Sequence, residues 1–146
     1  MSKASSAFNS EKTIIIVDDD PNSLTLVVAL VEYFLNELRS NGAAILSATS
    51  GEEAITLLRQ FSIDLLITDY QMPRITGLDL IRTVRMRRSS QRITTILMSS
   101  DHDILRDFSK TAIYGTDFTL AKPVNRSALK QLLQTIFRDS FKAAAP

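Results

Sequence analysis

Apolar and polar positions alternate between two periods along this chain. Thr13–Val17 is a short β-branched run and reads as a fully buried strand. Asp20 and Pro21 then read as an N-cap followed by proline at the first helical position. The helix after them carries Leu24, Val27, Val28, Val31, Leu35 and Leu38 on one face, and Asn41-Gly42 is its expected stop. Leu26, Leu30 and Tyr33 give it a second apolar stripe, read as deeper burial or as a docking surface. Ala44–Ala48 is a second strand. Ser50-Gly-Glu-Glu53 predicts a capping box, with Ala54, Leu57, Leu58 and Phe61 as the inner stripe of the helix it opens. Ile63–Thr68 reads as a third strand. A helix from Gly77 to about Arg87 turns Leu80, Ile81 and Val84 inward. Ile93–Met98 is the fourth strand. Ile104, Leu105, Phe108 and Ala112 mark a fourth helix ending at Gly115. Phe118–Ala121 is the fifth strand. Asn125 caps a last helix that points Leu129, Leu132, Leu133, Ile136 and Phe137 inward.

Five strands alternating with five helices demand a parallel sheet covered on both faces, an α/β class joined by right-handed crossovers. All four glycines fall at expected element ends, which supports the boundaries. No internal repeat or linker interrupts the pattern. In open α/β sheets a site forms at the carboxyl ends of the strands, at the topological switch point. Asp18 and Asp19 follow the first strand, Asp69 the third, Ser99 the fourth and Lys122 the fifth.

Composition changes little of this and excludes several classes. The chain has 146 residues, 45% hydrophobic and 23% charged, enough for one domain with a core. A net charge of +1 makes the whole chain no strong polyanion binder, and nucleic acid is not an expected partner. There is no cysteine, so disulfides and thiolate metal sites are excluded and a reducing compartment fits. Met1–Lys12 is small and polar, with no apolar core of a signal peptide. Leu24–Leu35 is too short to span a bilayer and carries Glu32. The expected location is the cytoplasm, with no membrane partner. Arg82, Arg85, Arg87, Arg88 and Arg92 read as a solvated helix end, where cations suit the dipole; an acidic partner or nucleic acid at this run is the rival reading. His102, the only histidine, is expected in solvent at the start of the fourth helix.

The crowded acids ask for a counter-charge. Two carboxylates about 4 Å apart repel by roughly 4 kcal/mol at an effective dielectric near 20. Oxygen ligands without histidine or cysteine suit a hard cation, Mg²⁺ above all, with Mn²⁺ as the alternative. A lysine and a hydroxyl beside them suit a transferring phosphoryl group. One carboxylate is then the nucleophile, giving an aspartyl phosphate. Asp69 fits that role because it stands alone, while Asp18 and Asp19 can share the ion; Asp20 caps the helix.

The sequence resembles the receiver domain of two-component response regulators, of the single-domain, chemotaxis-regulator-like kind, over about Thr13 to Phe141. The resemblance rests on IIIVDDDP, LLITDYQMPRITGLDLI, ILMSS and LAKP in that order. Met72, Pro73 and Gly77 stand at +3, +4 and +8 from Asp69. Asp69 to Ser99 is 99 − 69 = 30 positions and Ser99 to Lys122 is 122 − 99 = 23. It implies a flavodoxin-like three-layer (βα)5 fold with strand order 2-1-3-4-5. It further implies that Asp69 is phosphorylated and that Asp19 binds Mg²⁺ directly. Asp18 would act directly or through water, and the Gln71 main-chain carbonyl would add a ligand. Ser99 and Lys122 would bind the phosphoryl group, and Lys122-Pro123 would be cis. The implied donor is a histidine kinase or histidine phosphotransfer protein. The implied output is a downstream protein, or a homodimer, on the face of the fourth helix, fifth strand and fifth helix.

Some features depart from that family. The position three before Lys122, often aromatic, is Thr119, with Phe118 expected on the other sheet face. Asp19 to Asp69 is 69 − 19 = 50 positions, longer than usual. The expected organisation is a tail at 1–12, a receiver domain at 13–141 and a tail at 142–146, with no output domain. Two other function classes compete. A haloacid dehalogenase-type hydrolase uses an Asp-x-Asp loop, which Asp18-x-Asp20 fits superficially, with little room for a substrate-capping module. A binding module without phosphorylation is opposed by the complete set of acids, Ser99 and Lys122.

Overall fold

The computed structural model describes residues 12–38, 43–87, 92–107 and 115–138. The strands are β1 (Thr13–Val17), β2 (Ala44–Ala48), β3 (Leu65–Asp69), β4 (Thr94–Ser99) and β5 (Phe118–Ala121). The helices are α1 (Pro21–Glu37), α2 (Gly51–Gln60), α3 (Gly77–Met86), α4 (His102–Arg106) and α5 (Arg126–Ile136). All strand pairings are parallel and the order is β2-β1-β3-β4-β5. This is the flavodoxin-like α/β arrangement, with its switch point between β1 and β3.

Alternation along each strand divides the core. Ile14, Ile16, Leu65, Ile67, Ile96, Met98 and Leu120 face α1 and α5. Ile15, Val17, Leu66 and Leu97 face α2 and α3. Burying each such aliphatic side chain stabilises the fold by about 1.5–3 kcal/mol. Both faces are therefore closed, and only the strand ends are left for chemistry.

The helix starts follow the sequence closely. Asp20 accepts from the Asn22 amide with Pro21 behind it, and Asn125 accepts from Ala128 N. Ser50 accepts from Glu53 N, but the Glu53 carboxylate takes the Thr49 amide rather than that of Ser50. The reciprocal box instead opens α3, where Thr76 and Asp79 satisfy each other's amides.

Several expectations need correction. β3 and β4 each begin and end later in the sequence than the apolar runs suggest, because the backbone ladder continues into Asp69 and Ser99. Ile63 and Ile93 are still buried, so they belong to the core without belonging to a strand. Phe61 is 47% exposed, since α2 ends one residue before it. The second stripe of α1 is split: Leu30 is buried, whereas Leu26 and Tyr33 are exposed at 51% and 58%. α4 is one short segment whose N-cap is Asp101. Asn41-Gly42, Arg88, Phe108, Ala112 and most of the two tails lie outside the described residues.

The basic run is no uniform solvated helix end. Arg82 and Arg87 are exposed. Arg85, half-buried, donates to the Gly115 carbonyl at 3.0 Å and to Asp117 Oδ2 at 2.7 Å. Arg92 holds the other Asp117 oxygen at 2.5 Å. His102 is exposed at the first position of α4, as its sequence context suggests.

Candidate functional site

The carboxyl ends of β1, β3, β4 and β5 bring Asp18, Asp69, Ser99 and Lys122 to one edge of the sheet. Asp18 continues the ladder of β1, its amide donating to the Ala48 carbonyl at 3.1 Å. Its side chain is fully buried. One oxygen accepts the Asp20 amide at 3.0 Å and the other accepts Lys122 Nζ at 3.0 Å. Asp19 is exposed at the rim of the cluster. Asp69 is buried at the end of β3, and its Oδ1 accepts Lys122 Nζ at 3.3 Å. Carboxylate oxygens of Asp18, Asp19 and Asp69 lie within 4.8 Å of one another.

The charges do not balance. One ammonium faces three carboxylates. Burial raises the pKa of Asp69; the Lys122 charge opposes this, Asp18 and Asp19 reinforce it, and the net shift is upward. Desolvation works to lower the pKa of Lys122. The hydrogen bond to Asp18 and the charges of Asp69 and Asp18 outweigh it, so the net shift is upward. The lysine therefore stays charged. The excess negative charge and the all-oxygen donor set fit a hard divalent cation at this cluster.

Ser99 is buried as the last residue of β4, and its Oγ accepts the Asp101 amide at 2.9 Å. The Ser99 carbonyl accepts the Lys122 amide at 2.9 Å, which sets the lysine at the end of β5. The Lys122–Pro123 peptide is cis. Thr119 pairs with Leu97 and shares its sheet face, while Phe118 packs into the α1–α5 core on the other face.

The loop after β3 is shaped by close approach. The Gly77 amide donates to the Tyr70 carbonyl at 2.8 Å. A Cβ at Gly77 would come within 2.2 Å of the Asp69 carbonyl oxygen, so only glycine lets α3 start this near β3. Gln71 is exposed in this loop, and a shallow groove of about 390 Å³ is lined by Tyr70, Gln71, Met72, Pro73 and Thr76.

Comparison with known proteins decides the family. The family model for the response regulator receiver domain matches residues 14–134. This chain belongs to that family. The receiver domain is 31% identical over 90% of its length to the two-component response regulator-like protein PRR37 of Oryza sativa subsp. indica, and 32% identical over 86% to the Regulator of RpoS of Escherichia coli K12. It covers only 17% and 34% of those two relatives. It is 26% identical to a putative response regulator from Chloroflexus aurantiacus of known structure, covering 88% of this chain and 99% of that one at a TM-score of 0.73. The Saccharomyces cerevisiae Ssk1 receiver, solved with the histidine phosphotransfer signaling protein Ypd1, shares the fold at 21% identity and a TM-score of 0.65, with coverage of 85% and 87%. The family's role is signalling, and the haloacid dehalogenase reading gains no support. Among the described residues no helix is long and apolar enough to cross a membrane.

Sequence reasoning missed the Thr76–Asp79 box and the Arg85–Asp117–Arg92 cluster. The first was readable from the Thr-x-x-Asp spacing. The second joins residues 32 and 25 positions apart, and nothing local to Asp117 announces it.

Proposed function

We propose that this receiver domain accepts a phosphoryl group on Asp69 from a phosphohistidine and thereby changes a protein-binding surface. The observation that supports this best is the convergence of Asp18, Asp19, Asp69 and Lys122 at one strand-end cluster. Asp18, Asp19, Asp69 and the Gln71 carbonyl would hold Mg²⁺, with Mn²⁺ as substitute. When bound, the cation neutralises charge on the phosphoryl oxygens. An Asp69 oxygen forms the new P–O bond as the P–N bond of the donor breaks, and the imidazole nitrogen leaves with the electron pair. Lys122 swings from its carboxylate partners to a phosphoryl oxygen, and Ser99 donates its hydroxyl to another. Its own phosphorylation and hydrolysis are the only reactions assigned to this chain.

The proposed donor is a histidine kinase or histidine phosphotransfer protein, the chemistry named for the partner of the Ssk1 receiver. The proposed output face is α4, β5 and α5, read by a downstream protein or a second copy of the chain. Ser99 links the two sites, because its Oγ holds the amide of Asp101, the N-cap of α4. Thr119 stands beside that route and is small, and Phe118 packs on the other sheet face, so no large ring need rotate to follow. The cysteine-free composition fits the reducing cytoplasm, where we place the protein.

The test is to incubate the chain with Mg²⁺ and acetyl phosphate and weigh it intact. One added phosphoryl group is expected, lost in Asp69→Asn. An Asp69→Asn variant that gains the same mass at the same rate would sink the assignment.

A further inference from the structure

Arg74 lies five positions after Asp69 and carries φ 68, a backbone region that non-glycine residues rarely adopt. The Ile75 amide donates to the Pro73 carbonyl at 2.8 Å across it. A three-residue hydrogen bond around a positive-φ centre is a γ-turn of the rare, strained kind. Such a turn persists only where its surroundings over-determine it. The start of α2 supplies both constraints. A Cβ at Gly51 would come within 2.6 Å of the Ile75 side chain, so glycine there lets Ile75 seat directly on the helix. The Arg74 guanidinium pairs with the Glu52 carboxylate, one residue further along α2.

The loop held this way also carries Gln71, so its anchorage bears on the site. We infer that Arg74 and Glu52 form a positioning pair, which clamps the loop after β3 onto α2 and so holds the Gln71 carbonyl where a divalent cation can use it. The inference rests on the cation-site reading given above. Neither side chain touches the ion. Both are largely exposed, at 73% and 44%, so the pair is screened by salt and its effect is modest.

The test is a Mg²⁺ titration of the whole chain by NMR, following the amides of residues 70–72 and 74–76, for native protein, Arg74→Gly, Glu52→Gln and the double variant. Arg74→Gly keeps the positive φ without strain and removes the whole side chain with its charge, while Glu52→Gln removes the opposite charge and leaves the backbone of residue 74 unchanged. Each single variant is expected to weaken Mg²⁺ binding about three-fold at low salt. The double variant should be no worse than either single one, because both remove the same contact. The difference from native should shrink in about 0.5 M salt, which a loss of packing would not cause. The charge swap Glu52→Arg with Arg74→Glu should recover part of the affinity. Native affinity in both single variants, or additive losses in the double, overturns the inference alone. If the native chain takes up no Mg²⁺, the cation-site reading fails and this inference falls with it.

Discussion

Arg85 reaches Asp117 across the sheet, its NH2 standing 2.7 Å from Oδ2, at the end of the molecule away from Asp69. The same guanidinium donates to the carbonyls of Ile93 and Gly115, and Asp117 also accepts the Thr95 amide at 2.9 Å. One ion pair thus joins α3, the start of β4 and the approach to β5. The crossover through α4 is held below by this cluster and above by the Ser99–Asp101 contact.

Asp117→Asn should lower stability by about 2–3 kcal/mol, because it leaves two guanidinium groups without their carboxylate. Burial raises the pKa of Asp117, but the Arg92 and Thr95 hydrogen bonds and the charges of Arg85 and Arg92 outweigh it, and the net shift is downward. A depressed acid pKa stabilises the fold above the unfolded-chain value near 3.9 and loses that stabilisation as pH falls through the folded value. Urea unfolding of native protein should therefore weaken below about pH 4. The variant should show a shallower acid slope there; an unchanged slope would remove Asp117 from this role.

Gly77→Ala should be severe for so small a change. The added methyl would meet the Asp69 carbonyl oxygen at 2.2 Å, and that backbone belongs to β3. Overpacking of this kind costs about 1–3 kcal/mol. The same variant should slow Asp69 phosphorylation, since α3 must retreat from the acceptor strand. A thermal melt and an intact-mass time course check the two effects, and a native melting curve would contradict the first.

Metal-free Asp69→Asn should be more stable than the native chain, by on the order of 1 kcal/mol, because one of three crowded carboxylates becomes neutral. Lys122 keeps Asp18, at 3.0 Å, as its partner. Saturating Mg²⁺ at about a hundred times its Kd adds roughly 2.7 kcal/mol to the native protein and should reverse the order. Melts with and without Mg²⁺ measure both. A variant less stable than native in chelator would show that repulsion does not dominate the cluster.

Ser99→Ala should keep the acceptor chemistry and uncouple the output. Asp101 N loses its acceptor at 2.9 Å, so the first turn of α4 loosens even without a phosphoryl group. Amide exchange with and without beryllofluoride should change across residues 100–120 in native protein and much less in the variant. The coupling at stake is on the order of 1–3 kcal/mol. Equal exchange changes in both proteins would exclude Ser99 as the link.

The strand and helix pattern was legible because burial imposes it locally. Ile14 to Val17 must be apolar throughout when both sheet faces are covered, and Asp20-Pro21 caps a helix by chemistry confined to two neighbours. The order of the acids, Ser99 and Lys122 was legible for the same reason: each follows directly from the strand that delivers it. What no sequence window contains is distance across the fold. Only the assembled sheet set Lys122 between Asp18 and Asp69, buried Asp18 while leaving Asp19 in water, and left Leu26 and Tyr33 exposed beside a buried Leu30. It also turned Arg85 from an expected surface charge into a half-buried tie to Asp117, since that pairing depends on which strands become neighbours and not on which residues do.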